Sequence, residues 1–420
     1  MRQSFLLAWR MLVRGHVLFV LLLATVLDHA LLPALVRANG TADGWREMFV
    51  RVVPGSVFVF TCLALLACAC GLFARDREAS RLALSIVRPV SAFSIACGKW
   101  LALCAVGACA LGFNAVLTGV RLADAPVCFH HVRPTLPSAA VVAHDLLEDY
   151  LKDPKTPERV KKAPRSTVLA LLASKESDRY DVVAAGASVN WPFPADTVRD
   201  DGQTLVRVRF ATAYELRAPL RGRFVWGANA AAVSNATQSV LTLPLVKATN
   251  STVVAGEGLT FTNTGTESVM LRPRRDLELL NPADAFLWNL LRASLQMFAT
   301  VALLAAFGLF LSSALSRPVA VFTALVVATV ALMAPGVVEQ FPDELGTSLA
   351  NRIGLAFARA VQDVTSAATA ATPVSDLATD TCIERRALFV SFVRDALAVP
   401  FVFLALSAVL ARRKPLPDRF

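Results

Sequence analysis

The residues whose types could do chemistry are few in this sequence, and they are scattered. Cys128, His130 and His131 form a compact C-x-H-H group of soft and imidazole donors that suit zinc or copper. A complete structural site usually takes four ligands and no second cluster supplies the rest, so no metal is expected and local packing is the role assigned to the group. Asp28-His29 and Arg394-Asp395 are ionisable pairs set in apolar sequence, where such groups are expensive and often functional. The first pair could line a substrate path or hold two helices together. Arg394 is expected to snorkel towards a membrane surface. Of the eight cysteines, Cys62, Cys68, Cys70, Cys97, Cys104 and Cys109 lie in or beside apolar runs, where the side chain acts as a small hydrophobe. Cys128 and Cys382 lie outside those runs and could form a disulfide in an oxidising compartment. Asn39, Asn235 and Asn250 each begin an N-x-Ser/Thr triplet.

Catalysis finds no foothold here. At membrane depth there are no paired carboxylates and no nucleophile beside a base, so no residue is assigned a catalytic role and the chain is not expected to be an enzyme. A phosphate-cradling loop would read Gly, four residues, Gly-Lys, then Ser or Thr. Gly98-Lys99 is followed by Trp100, and Phe93 stands where the first glycine belongs. The chain is therefore expected to carry no cofactor of its own, and any ATP would sit on a partner subunit.

The elements that must position these residues are long and apolar. Of 420 residues, 55% are hydrophobic and only 18% charged, too greasy a balance for an ordinary soluble protein of this length. The apolar residues are bunched into stretches long enough to cross about 30 Å of hydrocarbon. Six can be read: Val17 to Val36, Gly55 to Ala74, Trp100 to Val120, Leu287 to Leu315, Val319 to Val338 and Leu388 to Ala411. Each is expected to be a helix, because a spanning backbone must satisfy its own hydrogen bonds. Arg2, Arg10 and Arg14 precede the first span, Arg75, Arg77, Arg81, Arg88 and Lys99 flank the turn after the second, and Arg412, Arg413 and Lys414 follow the sixth. The positive-inside rule puts these flanks and both termini in the cytoplasm of a multi-pass protein of the plasma (inner) membrane. The net charge of +10 sits beside the spans, which points to anionic lipid and away from nucleic acid.

The expected organisation follows from these spans. Residues 1–16 place Phe5, Leu6, Trp9, Leu12 and Val13 at helical spacing among arginines, the pattern of a helix lying in the membrane interface. Residues 17–120 hold the first three spans, with a cytoplasmic loop at 75–99. Residues 121–286 form an extracytoplasmic α+β insert. Within it 138–178 reads as a helical arm. At 181–280 the period changes to two, in runs such as TLVRVRF, RGRFVWG, SVLTLPLV and GLTFTNT, which predicts an antiparallel β-sandwich. Residues 287–338 hold spans four and five, 339–387 an extracytoplasmic helical loop, and 388–420 the last span and a tail.

The loop ARDREASRLALSIVRPVSAFSIACGKW carries a resemblance. R-x-R-E, then R-P-V-S, then G-K-W, on Arg75, Arg77, Glu78, Arg88, Pro89, Val90, Ser91, Gly98, Lys99 and Trp100, resembles the cytoplasmic loop of ABC-2 type permeases of the gliding-motility and copper-enzyme-maturation branch. The stretch LFLSSALSRPVAVF and the plan of six spans with an insert after the third are also similar to that family. The resemblance covers the membrane segments, roughly 60% of the chain. It implies an exporter permease, powered by a separate P-loop ATPase subunit and paired with a second permease copy or a related one. Arg75, Arg77, Glu78, Arg81, Arg88, Pro89, Gly98 and Lys99 would then form the ATPase-coupling loop, with Glu78 and Arg81 near one helix face. The same loop could simply anchor topology. The competing expectation is a membrane-anchored binding or sensory protein, in which the β-domain recognises a glycan or protein and the spans only hold it in place.

Overall fold

The computed structural model describes residues 1–36, 42–78, 91–123, 127–154, 156–161, 165–194, 204–209, 220–226, 229–236, 240–247, 258–340 and 373–413. In chain order the elements begin with α1 (Arg2–Arg14), α2 (Val17–Leu35), α3 (Ala42–Glu78) and α4 (Ala92–Arg121). β1 (Val127–Val132), α5 (Ala139–Lys152), α6 (Glu158–Lys161) and α7 (Arg165–Ser177) follow. Then come β2 (Asp181–Val183), β3 (Ser188–Pro192), β4 (Leu205–Arg209), β5 (Leu220–Trp226), β6 (Asn229–Ala236), β7 (Val240–Pro244), β8 (Val246–Lys247), β9 (Gly258–Asn263) and β10 (Val269–Leu271). The chain continues through α8 (Pro273–Asp276), β11 (Leu277–Ala285), α9 (Phe286–Ala314), α10 (Arg317–Gln340), α11 (Pro373–Ala378) and α12 (Arg385–Phe392). A π-helical segment (Val393–Ala398) and α13 (Val399–Arg413) complete it. Two compact units result, a helical one built on 1–126 and 285–339 with the C-terminal segment, and a sheet one built on 127–284.

In the helical unit five segments are long and apolar enough to cross a membrane: Val17–Leu35, Gly44–Ala74, Ala92–Arg121, Phe286–Ala314 and Arg385–Ala411. The chain is a membrane protein by that measure. The sixth expected span, Val319 to Val338, falls within α10, whose described apolar part runs only from Arg317 to Thr329. α9 is the most enclosed span and α2 among the least: 67% of the apolar window of α9 is buried against 17% for α2. The exposed side of α2 carries Phe19, Val20, Leu23, Leu27 and Leu31, a stripe that suits acyl chains and would be costly in water. Helices start and stop for local reasons. The Ser91 hydroxyl accepts the Ser94 amide and so caps α4. Gly15 and His16 separate α1 from α2, with His16 in the left-handed region at φ 57°.

Close helix approach rests on small residues. A Cβ on Gly308 of α9 would stand 2.7 Å from the Ala69 Cβ of α3. One on Gly98 of α4 would meet the Ser4 Cβ at 2.8 Å and the Phe5 amide nitrogen at 2.9 Å, so α1 lies directly on the start of α4. The buried face of α1 is Ala8 and Leu12.

The described strands of the sheet unit form three sheets, β1-β11-β4-β7, β3-β9-β5-β6-β8 and the pair β10-β2, in which β11-β4-β7, β3-β9-β5-β6-β8 and β10-β2 run antiparallel. Alternation fixes the faces: Val206 and Val208 pair with Leu279 and Leu277 on one side and with Leu243 and Leu241 on the other. In the five-stranded sheet Phe224 pairs with Phe261, ring centroids 4.7 Å apart. One apolar cluster draws Val206, Val208, Leu277 and Leu279 together with Trp191, Phe224, Leu259 and Phe261. β1 lies outside the 181–280 range expected for the β-region, yet it forms the edge beside β11, which itself runs on to Ala285. The expected arm contains α5 and α7, joined through a small core of Ala143, Leu147, Val168 and Leu172.

Candidate functional site

The chemically loaded part of the helical unit is where α3 ends and α4 begins. α3 runs on to Glu78 and α4 starts at Ala92, so 75–78 and 92–99 of the segment expected as a loop are helical. Arg81, Arg88 and Pro89 lie outside the described residues, as do the side chains of Arg75, Arg77 and Glu78. Lys99 was expected in the loop; it is instead buried in α4, 2% exposed. Its ammonium pairs with the Asp76 carboxylate at 2.5 Å, donates to the Leu72 carbonyl at 3.2 Å and lies 3.9 Å from the centre of the Phe73 ring. Such desolvation of a cation is tolerated because carboxylate, carbonyl and ring replace its water. The Asp76 Oδ1 has no hydrogen-bond partner among the described residues.

Two further contacts tie this corner to α9. The Ser312 hydroxyl oxygen accepts the amides of Phe73 and Ala74, at 3.1 and 3.3 Å. The Trp100 indole donates to the Ala302 carbonyl at 2.9 Å. Gly98, Lys99 and Trp100 therefore have separate jobs: room for α1, the ion pair with α3, and a hydrogen bond to α9. A load applied to the loop ends of α3 and α4 would move both helices together, because their ends are joined side chain to side chain.

Asp28 and His29 go to different neighbours. Asp28 Oδ2 accepts from the Ser56 hydroxyl at 2.9 Å, joining α2 to α3. His29 is 5% exposed; its Nδ1 is 2.9 Å from the Thr25 carbonyl, so that nitrogen carries the proton and Nε2 accepts from the Thr118 hydroxyl of α4 at 3.3 Å. Phe49 meets the imidazole edge to face, centroids 6.0 Å apart. Of the two roles open for this pair, helix-to-helix bonding has these contacts behind it. Asp395 is buried and accepts from Arg394 Nε at 3.0 Å within the π-helical segment.

Cys128 and Cys382 are both free, so the disulfide that the sequence left open between them is not formed. Cys128 is buried on β1, in the sheet unit. Cys382 is buried in the helical unit, where its sulfur accepts from Arg292 Nη1 at 3.4 Å. His131 does not join Cys128 and His130 in a donor set; its Nδ1 lies 2.9 Å from Glu278, which also takes Arg133. Burial works against the Glu278 charge, but the hydrogen bonds and charges of His131 and Arg133 outweigh it and hold the carboxyl down at about 2. Among the described residues no group of three His, Cys, Asp or Glu side chains is placed to hold a metal ion.

Arg292 and Asn289 went unnoticed in the sequence. Both are buried on α9. Asn289 bonds the Thr381 carbonyl and the Ile383 amide, and Arg292 the Ile383 carbonyl, so they strap residues 381–383 to α9. Arg46 of α3 secures the same strap through Asp380. The signal was there for Arg292, the sole charged residue between Phe286 and Ala314. No family model matches the chain, and no similar curated protein or solved structure is found.

Proposed function

We propose that this chain is the membrane-spanning permease subunit of an ABC-2 type ATP-driven exporter, coupled to a separate P-loop ATPase and working with a second permease copy or a homologue. The observation that carries the reading is the buried Lys99–Asp76 pair at the base of the charged loop. A coupling loop must deliver a push to spans as a rigid body, and two helix ends joined by a desolvated ion pair move as one. In this reading α10 is the sixth span, both termini face the cytoplasm, and α1 lies in the interface with its apolar side on α4. The two larger sheets stack as a sandwich, which the single apolar cluster shared by their strands supports. The sheet unit then receives, guides or tethers cargo outside the cell.

The test is co-purification with a P-loop ATPase subunit from the native membrane. Reversing both loop charges, Glu78→Arg with Arg81→Glu, should abolish it while the chain still elutes as a folded particle. An ATPase retained at full stoichiometry by that variant would overturn the docking role. The anchored-receptor alternative predicts instead that no ATPase accompanies the protein.

A further inference from the structure

The last candidate span carries a feature that transport by the remaining helices does not require. Its first half is not regular: α12 passes into the π-helical segment Val393–Ala398 before α13 begins. Single π-turns inside α-helices recur at functional sites because the wider turn re-aims side chains. Here an open groove of about 410 Å³ lies along this stretch, lined by Glu384, Arg386, Ala387, Val390, Ser391 and Arg394. The Arg394 guanidinium spends Nε on Asp395, while its Nη2 is buried with no hydrogen-bond partner among the described residues. Arg386, two helical turns earlier, is exposed. Glu384 is the one carboxylate among the described lining residues, and Asp395 pairs with Arg394 behind them.

The Arg394 side chain is 40% exposed and lines the groove, and arginine suits phosphate by its planar fork. The surroundings indicate where such a phosphate comes from. Phe389, Val390, Leu397, Phe401 and Val402 are all more than half exposed on the same span, a surface that in a bilayer faces acyl chains. A ligand with its phosphate on Arg386 and Arg394 would therefore lay hydrocarbon against these side chains. We propose that this groove is a binding site for a membrane phospholipid with an anionic headgroup, its phosphate held between Arg386 and Arg394. The site rests on the helix spanning a membrane and is independent of the ATP-driven reading.

The test is native mass spectrometry of the full-length purified protein with phosphatidylglycerol or phosphatidylcholine of identical acyl chains. Phosphatidylglycerol should stay bound under activation that strips phosphatidylcholine. Arg386→Gln and Arg394→Gln should each lower its occupancy about five-fold, as expected for one arginine near an anionic headgroup. Arg394→Lys should keep most of it, and Arg165→Gln, in the sheet unit, should change nothing. Arg386 has no buried carboxylate to abandon, so Arg386→Gln reads binding even if Arg394→Gln unfolds the π-segment. Undiminished phosphatidylglycerol in Arg386→Gln, or equal retention of phosphatidylcholine, would overturn the site. So would displacement by inorganic phosphate as effective as by the lipid, or efficient Ser391→Cys cross-linking between two copies, which would give the groove to a water-soluble anion or to a second chain.

Discussion

Replacing Lys99 with methionine removes the ammonium and leaves most of the side-chain volume. Asp76 is then stranded, 6% exposed, with neither of its oxygens engaged by Lys99 and with Oδ1 already without a partner. Because both members are almost fully buried, solvent screening gives little relief, and the loss of one partner should cost about 3 to 5 kcal/mol. Asp76→Leu strands the ammonium and should cost a similar amount, softened by the Leu72 carbonyl and the Phe73 ring that Lys99 keeps. Removing both charges together should recover most of the loss, because an apolar pair of similar volume needs no compensation in this site. The four proteins form a double-mutant cycle, read by equilibrium unfolding in micelles through the fluorescence of the adjacent Trp100. A coupling energy of at least about 4 kcal/mol is expected, because two single losses of about 3 kcal/mol or more each are mostly recovered in the double variant. If the single costs simply add to within about 0.5 kcal/mol, the pair is not an energetic unit and the rigid-corner argument fails. The double variant also separates stability from transmission: on the proposed ATPase-coupled reading it should fold well, yet in complex with the ATPase it should hydrolyse ATP without moving the spans.

Three more outcomes follow from the contacts described. Gly98→Leu should push α1 off α4, because even a Cβ there falls within 3.0 Å of α1 backbone; spin labels on α1 and α4 should report a longer and broader distance, while Gly112→Leu, with open space around it, should not. Arg292→Leu should loosen the strap at a cost of roughly 1 to 3 kcal/mol for the carbonyl it leaves unbonded, and should speed maleimide modification of Cys382 in a variant that keeps this cysteine alone. Glu278 has a folded pKa below its unfolded value, so its contribution is complete above about 4.5 and disappears as pH falls towards 2. Integrated over that shift it is on the order of 3 kcal/mol. Stability of the sheet unit, followed by tryptophan fluorescence, should fall more steeply with pH between about 4.5 and 2 in the wild type than in Glu278→Gln, which lacks that part of the pH dependence.

Where a local pattern decides structure, the sequence was legible. Runs of apolar residues marked all five spans, with ends misplaced by as much as eleven residues at the start of the second, Gly44 against Gly55, because amphipathic turns such as GWREMFVRVV continue a helix beyond its greasiest stretch. Alternation marked β4, β5, β7, β9 and β10, whereas β6, reading NAAAVSNA, is too poor in branched and aromatic residues to announce itself. β1 was missed because its partner β11 lies some 150 residues away, and pairing at that separation leaves no local trace. The same reason hid the ion pair. Asp76 sits in a mixed-charge run that looks solvated, Lys99 at the mouth of a span, and only the fold puts them in contact.

The contacts also explain why α9 is the most enclosed helix. Near one end it receives the α3 amides on Ser312, the Trp100 indole on Ala302 and the close approach of Ala69 at Gly308. Near the other it holds residues 381–383 through Asn289 and Arg292. Each of these bonds is made to backbone, which resists displacement better than a pair of flexible side chains. Small residues between them keep the neighbouring helices within van der Waals distance, so the intervening turns cannot absorb a shift by repacking. A movement imposed where α3 and α4 meet their loop must therefore either break the Ser312 and Trp100 bonds or carry α9 with it. The second course also disturbs the strap, where Arg292 bonds the Ile383 carbonyl and the Cys382 sulfur and Arg46 pairs with Asp380.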